Sequence, residues 1–463
     1  MSLKTRSEMS RRLSNRASRI IGESMIVRGI KKMFRESRLL MLLYSTCFVA
    51  GIIFSSVPAA QAGRADEISN LKRLYDQKRF FELRGAVENY KGRDDARLLF
   101  FRGAVANTSY RPKASIAYLR QYIARARKDR EWAREAYRLL ADNFVKSCRY
   151  AEAASTYGTI LARFRQGMKP AEIKDYENAL AIYSSFSGTP RQTVLVGKDT
   201  AVGESTAETG WSVPVEANNQ RIVLGLDTGA NISLLAESIA RKLGVRFLDA
   251  SVTIGSITSI SIRAKLGVLS EMRIGNAVVR NAIFLIMDDR TLTFPDGSMI
   301  KGVIGFPVIA GFREITFNSD GTVFIPRRAQ AKSGPNMCLD ASNILFRGEY
   351  ANTDFTFVLD TGAARSILYL PFLEAFEKEV KAKYSLRAEK FTGVGGSEEV
   401  PAYIVKEFSV KFSGKPAQLP EIRLLTKALT DNGKFYYGNI GQDLIKRFRK
   451  MTLHFAPMKI RFE

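Results

Sequence analysis

A five-residue pattern that occurs twice constrains the fold of this chain more than any other feature. Residues 226–230 read LDTGA, and the same letters return 133 positions later at residues 359–363, each time directly after an apolar run typical of a strand. A serine lies six positions beyond each aspartate, at Ser233 and Ser366. The chain must therefore fold two similar strand-and-loop units.

Two further landmarks follow each copy in the same order. Residues 302–305 (GVIG) follow the first copy, and residues 438–441 (GNIG) follow the second. A Phe-Arg-x-x-Thr segment comes next, at residues 312–316 and again at 448–452. Three matched landmarks at nearly equal spacing indicate an internal duplication of the region after about residue 193.

Scarce residue types exclude most hydrolytic chemistries. The chain holds one histidine, His454, and three cysteines. It has neither a Cys-x-x-Cys nor a His-Glu-x-x-His motif, so we expect no metal site and no cofactor. A Ser-His-Asp enzyme would depend on His454, which lies in an alternating late strand and is predicted to point outward without a catalytic role. Carboxylates are left as the chemistry available to a hydrolase.

The duplicated landmarks resemble those of aspartic proteases of the retropepsin and pepsin type. In that superfamily each lobe supplies one Asp-Thr-Gly loop, and an apolar-apolar-Gly segment crosses behind it to form a ψ-shaped support. The resemblance covers residues from about 193 to 463 and implies a fused, single-chain retropepsin-like pseudo-dimer. It assigns the ψ-loop support to Ile304, Gly305, Ile440 and Gly441. Asn439 departs from the pattern, because an apolar residue is usual at its position.

The resemblance implies a catalytic pair formed by Asp227 and Asp360. Two carboxylates about 3 Å apart share one proton, so one activates a water while the other donates to the scissile carbonyl. The pair titrates as a unit, and the sequence leaves the two roles unassigned. The active-site loop support is implied to come from Thr228, Gly229, Ala230, Thr361, Gly362 and Ala363.

Both alanines stand where pepsin-like enzymes often carry a Ser or Thr that donates to a carboxylate. We therefore expect a less acidic activity optimum than that of a digestive pepsin.

Each copy also contains a glycine-bearing segment that suits a flap over substrate. The candidates are Ile254 and Gly255 in the first copy and Gly393 and Gly395 in the second. An ordinary hairpin turn is the alternative for both.

Residues 1–62 read as a signal peptide or a membrane anchor. Basic residues precede an uncharged apolar run that begins at Leu39, and Ala60 and Ala62 fit the small-x-small cleavage rule. We expect export to a bacterial periplasm or cell envelope, either with cleavage or with residues 39–62 retained in the inner membrane. The net charge of +25 is spread along the chain without nucleic-acid-binding motifs, so we expect no nucleic acid as partner and, at most, proximity to a membrane.

Residues 66–187 show helical periodicity and resemble tetratricopeptide repeats, most clearly where Ala141 is followed twelve positions later by Ala153 and then by Tyr157. A plain helical bundle is the alternative. A repeat domain would offer a surface for a partner protein or a protein substrate.

The predicted fold class is multidomain: an α-helical, tetratricopeptide-like N-terminal domain followed by a mainly-β, bilobal aspartic protease fold of the double-ψ type. The predicted boundaries are 66–187 for the helices, 193–327 for lobe 1, 328–344 for a linker and 345–463 for lobe 2. The predicted function is that of an exported aspartic endopeptidase acting on protein or peptide substrates. The alternative is a catalytically silent binding or scaffold protein of the cell envelope.

Overall fold

A computed structural model describes residues 59–92, 95–125, 130–204, 210–255, 261–294, 296–330, 334–393 and 396–463. The apolar run that begins at Leu39 lies outside this range as far as residue 58, as does the flap candidate Gly395. Within the described residues no helix combines the length and apolar character needed to cross a membrane.

The N-terminal part of the described chain is helical. Its helices are α1 (Ala59–Asp76), α2 (Phe80–Glu88), α3 (Ala96–Thr108), α4 (Pro112–Arg125), α5 (Arg130–Lys146), α6 (Tyr150–Phe164) and α7 (Pro170–Ser185).

Helices α3 and α4 pack through Gly103, where any Cβ would meet the side chain of Leu119 at 2.7 Å. Ser115 in α4 donates a hydrogen bond to the Gly103 carbonyl at 2.7 Å. The small residues in this part of the sequence thus permit close helix packing.

Three turns between these helices have the same geometry. Lys78, Tyr110 and Cys148 each adopt a positive φ of 51° to 53°, which ends the preceding helix in the left-handed conformation. An arginine follows each of them, and its N–H donates to the carbonyl five residues earlier at 2.8 to 2.9 Å. These arginines are Arg79, Arg111 and Arg149, so the chain repeats one helix-turn-helix connection.

The rest of the chain is rich in strands. Five strands follow α7: β1 (Thr193–Val196), β2 (Thr200–Val202), β3 (Ser212–Ala217), β4 (Gln220–Asp227) and β5 (Ser233–Ala236). The first Asp-Thr-Gly loop lies between β4 and β5. Helix α8 (Glu237–Lys242) follows, and then β6 (Arg246–Gly255), β7 (Ser261–Ile274), β8 (Ala277–Met287), β9 (Gly302–Gly305), helix α9 (Phe306–Gly311), β10 (Glu314–Asn318) and β11 (Val323–Ile325).

The second copy repeats this series. It comprises β12 (Met337–Asp340), β13 (Asn343–Tyr350), β14 (Thr353–Leu359), β15 (Ile367–Leu368), helices α10 (Leu370–Ala375) and α11 (Glu377–Lys383), β16 (Leu386–Gly393), β17 (Gly396–Phe412), β18 (Lys415–Leu425), α12 (Asn432–Phe435), β19 (Gly438–Ile440), α13 (Gln442–Ile445), β20 (Lys450–His454) and β21 (Lys459–Phe462). Strand β12 lies inside the segment predicted as a linker and pairs with β13.

Two eight-stranded sheets have the same central arrangement. In the first, β4 pairs in parallel with β9, β9 pairs antiparallel with β5, and β5 pairs in parallel with β8. In the second, β14, β19, β15 and β18 repeat these directions in the same order. The duplicated sequence therefore builds one strand arrangement twice.

A five-stranded sheet joins the two copies, in the order β2-β11-β10-β20-β21. Its central pair is β10 and β20, which carry the repeated Phe-Arg-x-x-Thr segments and run antiparallel with Thr316 opposite Thr452. His454, predicted to point outward, is only 4% exposed in this sheet. That prediction was wrong: Met451, Thr452, Leu453 and His454 are all buried, and the His454 ring lies 3.0 Å from the carboxylate of Glu314.

The helices share a hydrophobic core with the second sheet. Leu83 and Phe101 from the helices belong to the same buried cluster as Cys338, Leu345 and Tyr436. Lys78 also forms a 2.7 Å ion pair with Asp340, whose side chain is 12% exposed. The helical region is thus packed onto the β region and forms one compact unit with it, residues 63–463.

Candidate active site

The two Asp-Thr-Gly loops begin where paired parallel strands end. Asp227 is the last residue of β4 and lies opposite Gly305 at the end of β9. Asp360 directly follows β14, and its N–H donates to the Ile440 carbonyl of β19 at 3.0 Å. The predicted supports Ile304, Gly305, Ile440 and Gly441 therefore lie directly beside the two aspartates.

Thr228 and Thr361 tie the two loops together. The Thr228 N–H donates to Oγ1 of Thr361 at 3.0 Å, and the Thr361 N–H donates to Oγ1 of Thr228 at 3.1 Å. Each hydroxyl in turn donates across the junction, Thr228 to the Leu359 carbonyl at 3.2 Å and Thr361 to the Leu226 carbonyl at 2.7 Å. Both threonines are fully buried, so four hydrogen bonds fix one loop relative to the other.

Backbone N–H groups hold one oxygen of each carboxyl. Oδ1 of Asp227 accepts from Gly229 at 2.8 Å and from Ala230 at 3.2 Å. Oδ1 of Asp360 accepts from Gly362 and from Ala363, both at 3.0 Å. The small loop residues thus present their backbones to the carboxylates.

The glycines permit the carboxyls to approach each other. A Cβ on Gly362 would lie 2.4 Å from Cγ of Asp227, and a Cβ on Gly229 would lie 3.0 Å from Oδ1 of Asp360. The interaction with the Asp360 side chain is one of the causes that raise the pKa of Asp227. Each loop glycine therefore faces the aspartate of the other loop.

The electrostatics of this pair favour a shared proton. Burial, followed by the neighbouring charge of Asp360, raises the pKa of Asp227 from 3.8 to about 7. The backbone donors act in the opposite direction but do not cancel the rise. A proton on Asp227 removes the repulsion between two adjacent carboxylates.

A serine holds the crossing segment behind each loop. Ser233 Oγ accepts from the Gly305 N–H at 3.0 Å, and Ser366 Oγ accepts from the Gly441 N–H at 2.9 Å. A Cβ on Gly305 would lie 2.6 Å from the Ala230 carbonyl oxygen, and one on Gly441 would lie equally close to that of Ala363. These glycines are required because the two backbones nearly touch.

Asn439 is a site residue whose contact was not recognised from the sequence. Its Nδ2 donates to Oδ2 of Asp360 at 3.0 Å. The signal in the sequence is the departure from the apolar pattern at this position, but the strand register is needed to find its partner.

The flap candidates lie in hairpins at sheet edges. Ile254 and Gly255 are in β6, the edge strand of the first sheet, which pairs with β7. Gly393 ends β16, the edge strand of the second sheet, and pairs with Gly396 in β17. These residues are not part of the hydrogen-bond network around the aspartates described above. Across the described residues, no cluster of His, Cys, Asp and Glu is arranged to hold a metal ion.

Comparisons with known proteins agree with this geometry. A family model described as aspartyl protease matches residues 213–308. No curated protein matches the chain.

Among solved structures, a retropepsin-like aspartic protease from Rickettsia conorii is similar at 16% identity and a TM-score of 0.20, over 29% of this chain and 94% of that one. Basic 7S globulin from soybean is similar at 10% identity and a TM-score of 0.35, over 59% of this chain and 96% of that one. The segment matched by the aspartyl protease model, residues 213–308, holds the first Asp-Thr-Gly loop and its crossing strand β9.

Proposed function

We propose that this chain is an aspartic endopeptidase with a single active site formed by Asp227 and Asp360. The observation that carries the proposal is the mutual approach of the two loops, in which a Cβ on Gly362 would lie 2.4 Å from Cγ of Asp227. The buried Thr228–Thr361 hydrogen bonds hold this approach within one chain. This is the arrangement expected of a single-chain, retropepsin-like pseudo-dimer.

The pair supplies both proton transfers that peptide hydrolysis needs. One carboxylate takes a proton from a water as its oxygen attacks the scissile carbonyl, and the protonated carboxyl stabilises the developing charge on the carbonyl oxygen. The raised pKa of Asp227 keeps one proton on the pair up to nearly neutral pH. No residue outside the pair has to serve as base or acid.

Asparagine substitution of each aspartate tests the proposal. Asp227→Asn and Asp360→Asn, assayed separately on an unfolded protein and on envelope extracts, should each abolish cleavage. Each variant should still show a cooperative thermal unfolding transition, as expected of a folded protein. Asp354→Asn, at an exposed strand position, is the matched control and should cleave like the parent. Cleavage by either active-site variant at the parental rate would exclude a shared-pair mechanism. A parent that cleaves nothing at any pH would favour a binding or scaffold protein of the envelope.

We also propose that the enzyme is exported and that its helical region positions a protein substrate or partner. The apolar run from Leu39 and the Ala60/Ala62 pattern support export to the periplasm or envelope, with cleavage or membrane retention as the two forms. The repeated helix-turn-helix connections support a tetratricopeptide-like surface. Cell fractionation followed by N-terminal sequencing tests the first point, and crosslinking of the Asp227→Asn variant to envelope proteins tests the second.

A further inference from the structure

The two copies differ at one polar position beside the aspartate pair. Val303 in β9 lies opposite Gly225, and Asn439 in β19 lies opposite Val358, so each stands across from the residue two positions before an active-site aspartate. Val303 is 9% exposed and Asn439 is 7% exposed. Asn439 donates through Nδ2 to Oδ2 of Asp360 at 3.0 Å, whereas a valine side chain has no hydrogen-bond donor.

The backbone donors do not produce this difference. Each aspartate receives two backbone N–H groups on Oδ1, at 2.8 and 3.2 Å for Asp227 and at 3.0 Å twice for Asp360. Their effects on the two carboxyls therefore largely balance. The side-chain amide of Asn439 is added on the Asp360 side, where a hydrogen bond to a charged acceptor stabilises the ionised form.

Polar contacts hold the segment that follows Asn439. Gln442 donates through Nε2 to the Thr361 carbonyl at 2.8 Å, and Asp443 accepts from Oγ of Ser366 at 2.6 Å. The first copy has Phe306 and Pro307 at the corresponding positions. The segment that follows Asn439 is thus tied to the second loop by side-chain hydrogen bonds for which Phe306 and Pro307 have no equivalent groups.

We propose that Asn439 is a positioning residue that keeps the negative charge of the pair on Asp360, so that Asp360 is the base and Asp227 the acid. This assignment rests on the proposed peptidase function. The raised pKa of Asp227 is consistent with a proton held on that side. Burial, followed by the charge of Asp360, also raises the pKa of the nearby Tyr369, so this phenol stays neutral where the pair is active.

The assignment gives a balanced reaction. Asp360 takes a proton from water while the water oxygen bonds to the carbonyl carbon, and Asp227 gives its proton to the carbonyl oxygen. The resulting gem-diol then collapses: the C–N bond breaks, the nitrogen takes the proton from Asp360, and one hydroxyl returns a proton to Asp227. The acid and amine leave, and the pair is back in its starting protonation state.

If the Asn439 amide had the reverse orientation, the roles of the two aspartates would be exchanged. With Oδ1 turned toward Asp360, the amide would accept a hydrogen bond from a protonated Asp360, which would then be the acid. Asn439→Val removes the amide and inserts the residue found at the matched position of the first copy. The pH profile of kcat/KM distinguishes the two orientations because each places a different limb under the control of Asp360.

We expect Asn439→Val, in the full chain, to move the acidic limb of the profile upward by about one pH unit, since a hydrogen bond to a carboxylate contributes about that much. The alkaline limb, which reports loss of the proton from Asp227, should stay in place. A downward shift of the alkaline limb alone would assign the acid role to Asp360 and overturn the proposal. A lower rate with both limbs unmoved would also overturn it, because Asn439 would then have a merely structural role.

Val303→Asn is the matched control. It offers an amide to Asp227 and should move the alkaline limb downward. If Asn439→Val does not fold, Asn439→Ala serves as the second variant.

Carboxyl titration by ¹³C NMR, with labelled aspartate in the full chain and assignment through Asp227→Asn and Asp360→Asn, gives a readout independent of cleavage. Asp360 should ionise before Asp227 in the parent, and Asn439→Val should delay its ionisation. A chain that showed this titration without cleaving any substrate would refute the peptidase function and leave the charge assignment intact. A chain that cleaved peptides but ionised Asp227 first would refute the charge assignment alone.

Discussion

The hydroxyl oxygens of Thr316 and Thr452 lie 2.9 Å apart and form a buried hydrogen bond between equivalent residues of the two copies. They face each other in the central pair of strands, β10 and β20. The repeated Phe-Arg-x-x-Thr segments thus pair with each other, and the same chain supplies both Asp-Thr-Gly loops. This arrangement favours an active site formed within one chain.

Mixing two inactive variants distinguishes a site within one chain from a site between chains. We expect an equimolar mixture of Asp227→Asn and Asp360→Asn proteins to remain inactive, because each chain would carry one substituted carboxyl in its only pair. Unfolding and refolding the mixture together should give the same result. Activity that appears in the mixture, or a parental specific activity that rises with protein concentration, would show that lobes pair between chains.

The buried threonines should matter for stability as well as for alignment. Thr361→Val removes the acceptor of the Thr228 N–H and the donor to the Leu226 carbonyl. A buried group left without its partner costs about 1–3 kcal/mol, so we expect a loss of that size in the free energy of unfolding, together with a lower kcat. Urea unfolding and steady-state kinetics measure the two effects.

Thr361→Ser keeps the hydroxyl and is the matched control. It should retain most of the stability and activity that Thr361→Val loses. A loss in Thr361→Ser with little loss in Thr361→Val would show that the methyl group, rather than the hydrogen bonds, holds the loops together.

The sequence was sufficient to predict the two Asp-Thr-Gly loops and their neighbours because each loop is local and the chain repeats it. It was insufficient for His454, since alternation separates two faces of a strand only where one face meets water, and this end of β20 is buried on both. The contact of Asn439 with Asp360 depends on the pairing of β14 with β19, and the local sequence pattern does not specify this pairing. The packing of the helices on the second sheet brings together residues that are far apart in sequence, such as Lys78 and Asp340, which are separated by 262 positions. Local sequence patterns do not predict such contacts.

Substitution of the loop glycines should impair the site unequally. In Gly362→Ala the new Cβ would lie 2.4 Å from Cγ of Asp227, whereas in Gly229→Ala the nearest atom, Oδ1 of Asp360, is 3.0 Å away. We expect Gly362→Ala to lose nearly all activity and Gly229→Ala to lose less. Gly85→Ala in helix α2, where the added Cβ would meet no side chain or backbone beyond its chain neighbours and its own helix backbone within 4 Å, should leave activity unchanged. Equal activity in the two loop variants would contradict the closer approach at Gly362.

The raised pKa of Asp227 predicts activity over a less acidic range than that of a digestive pepsin. Its carboxyl keeps a proton up to about pH 7, so cleavage should persist in the weakly acidic range and decline as the pH rises through 7. A profile of kcat/KM on a peptide substrate measures this. An optimum below about pH 3 would contradict it.

The raised pKa of Asp227 should also make the stability of the folded chain depend on pH. Between its usual pKa of 3.8 and its folded pKa of about 7, Asp227 is protonated in the folded chain and ionised in the unfolded one. The folded state then binds more protons, so the contribution to stability is present at low pH and is lost as the pH rises through this window. Asp227→Asn should therefore show a smaller fall in Tm between pH 5 and pH 8 than the parent. The same fall in both proteins would show that Asp227 is not the group responsible.

The ion pair between Lys78 and Asp340 should help to fasten the helices to the second sheet. Burial pushes the pKa of Asp340 upward, but the charge and hydrogen bond of Lys78, the charge of Arg138 and the Tyr436 hydroxyl together more than offset this and leave that pKa below its usual value. Lys78→Met leaves the Asp340 carboxylate without its cation. Because Lys78 is partly exposed, we expect a loss of about 2–3 kcal/mol in the free energy of unfolding, less than for a fully buried pair.

Lys381→Met is the matched control, since its partner Glu377 and Lys381 itself are both 56% exposed, and it should leave the free energy of unfolding nearly unchanged. If the helices and the β region unfold as one unit, Lys78→Met should lower stability in a single transition that removes the helical signal and the proposed peptidase activity together. Two separated transitions, the helices melting first while cleavage persists, would instead show that the shared core of Leu83, Phe101, Leu345 and Tyr436 does not couple the two regions.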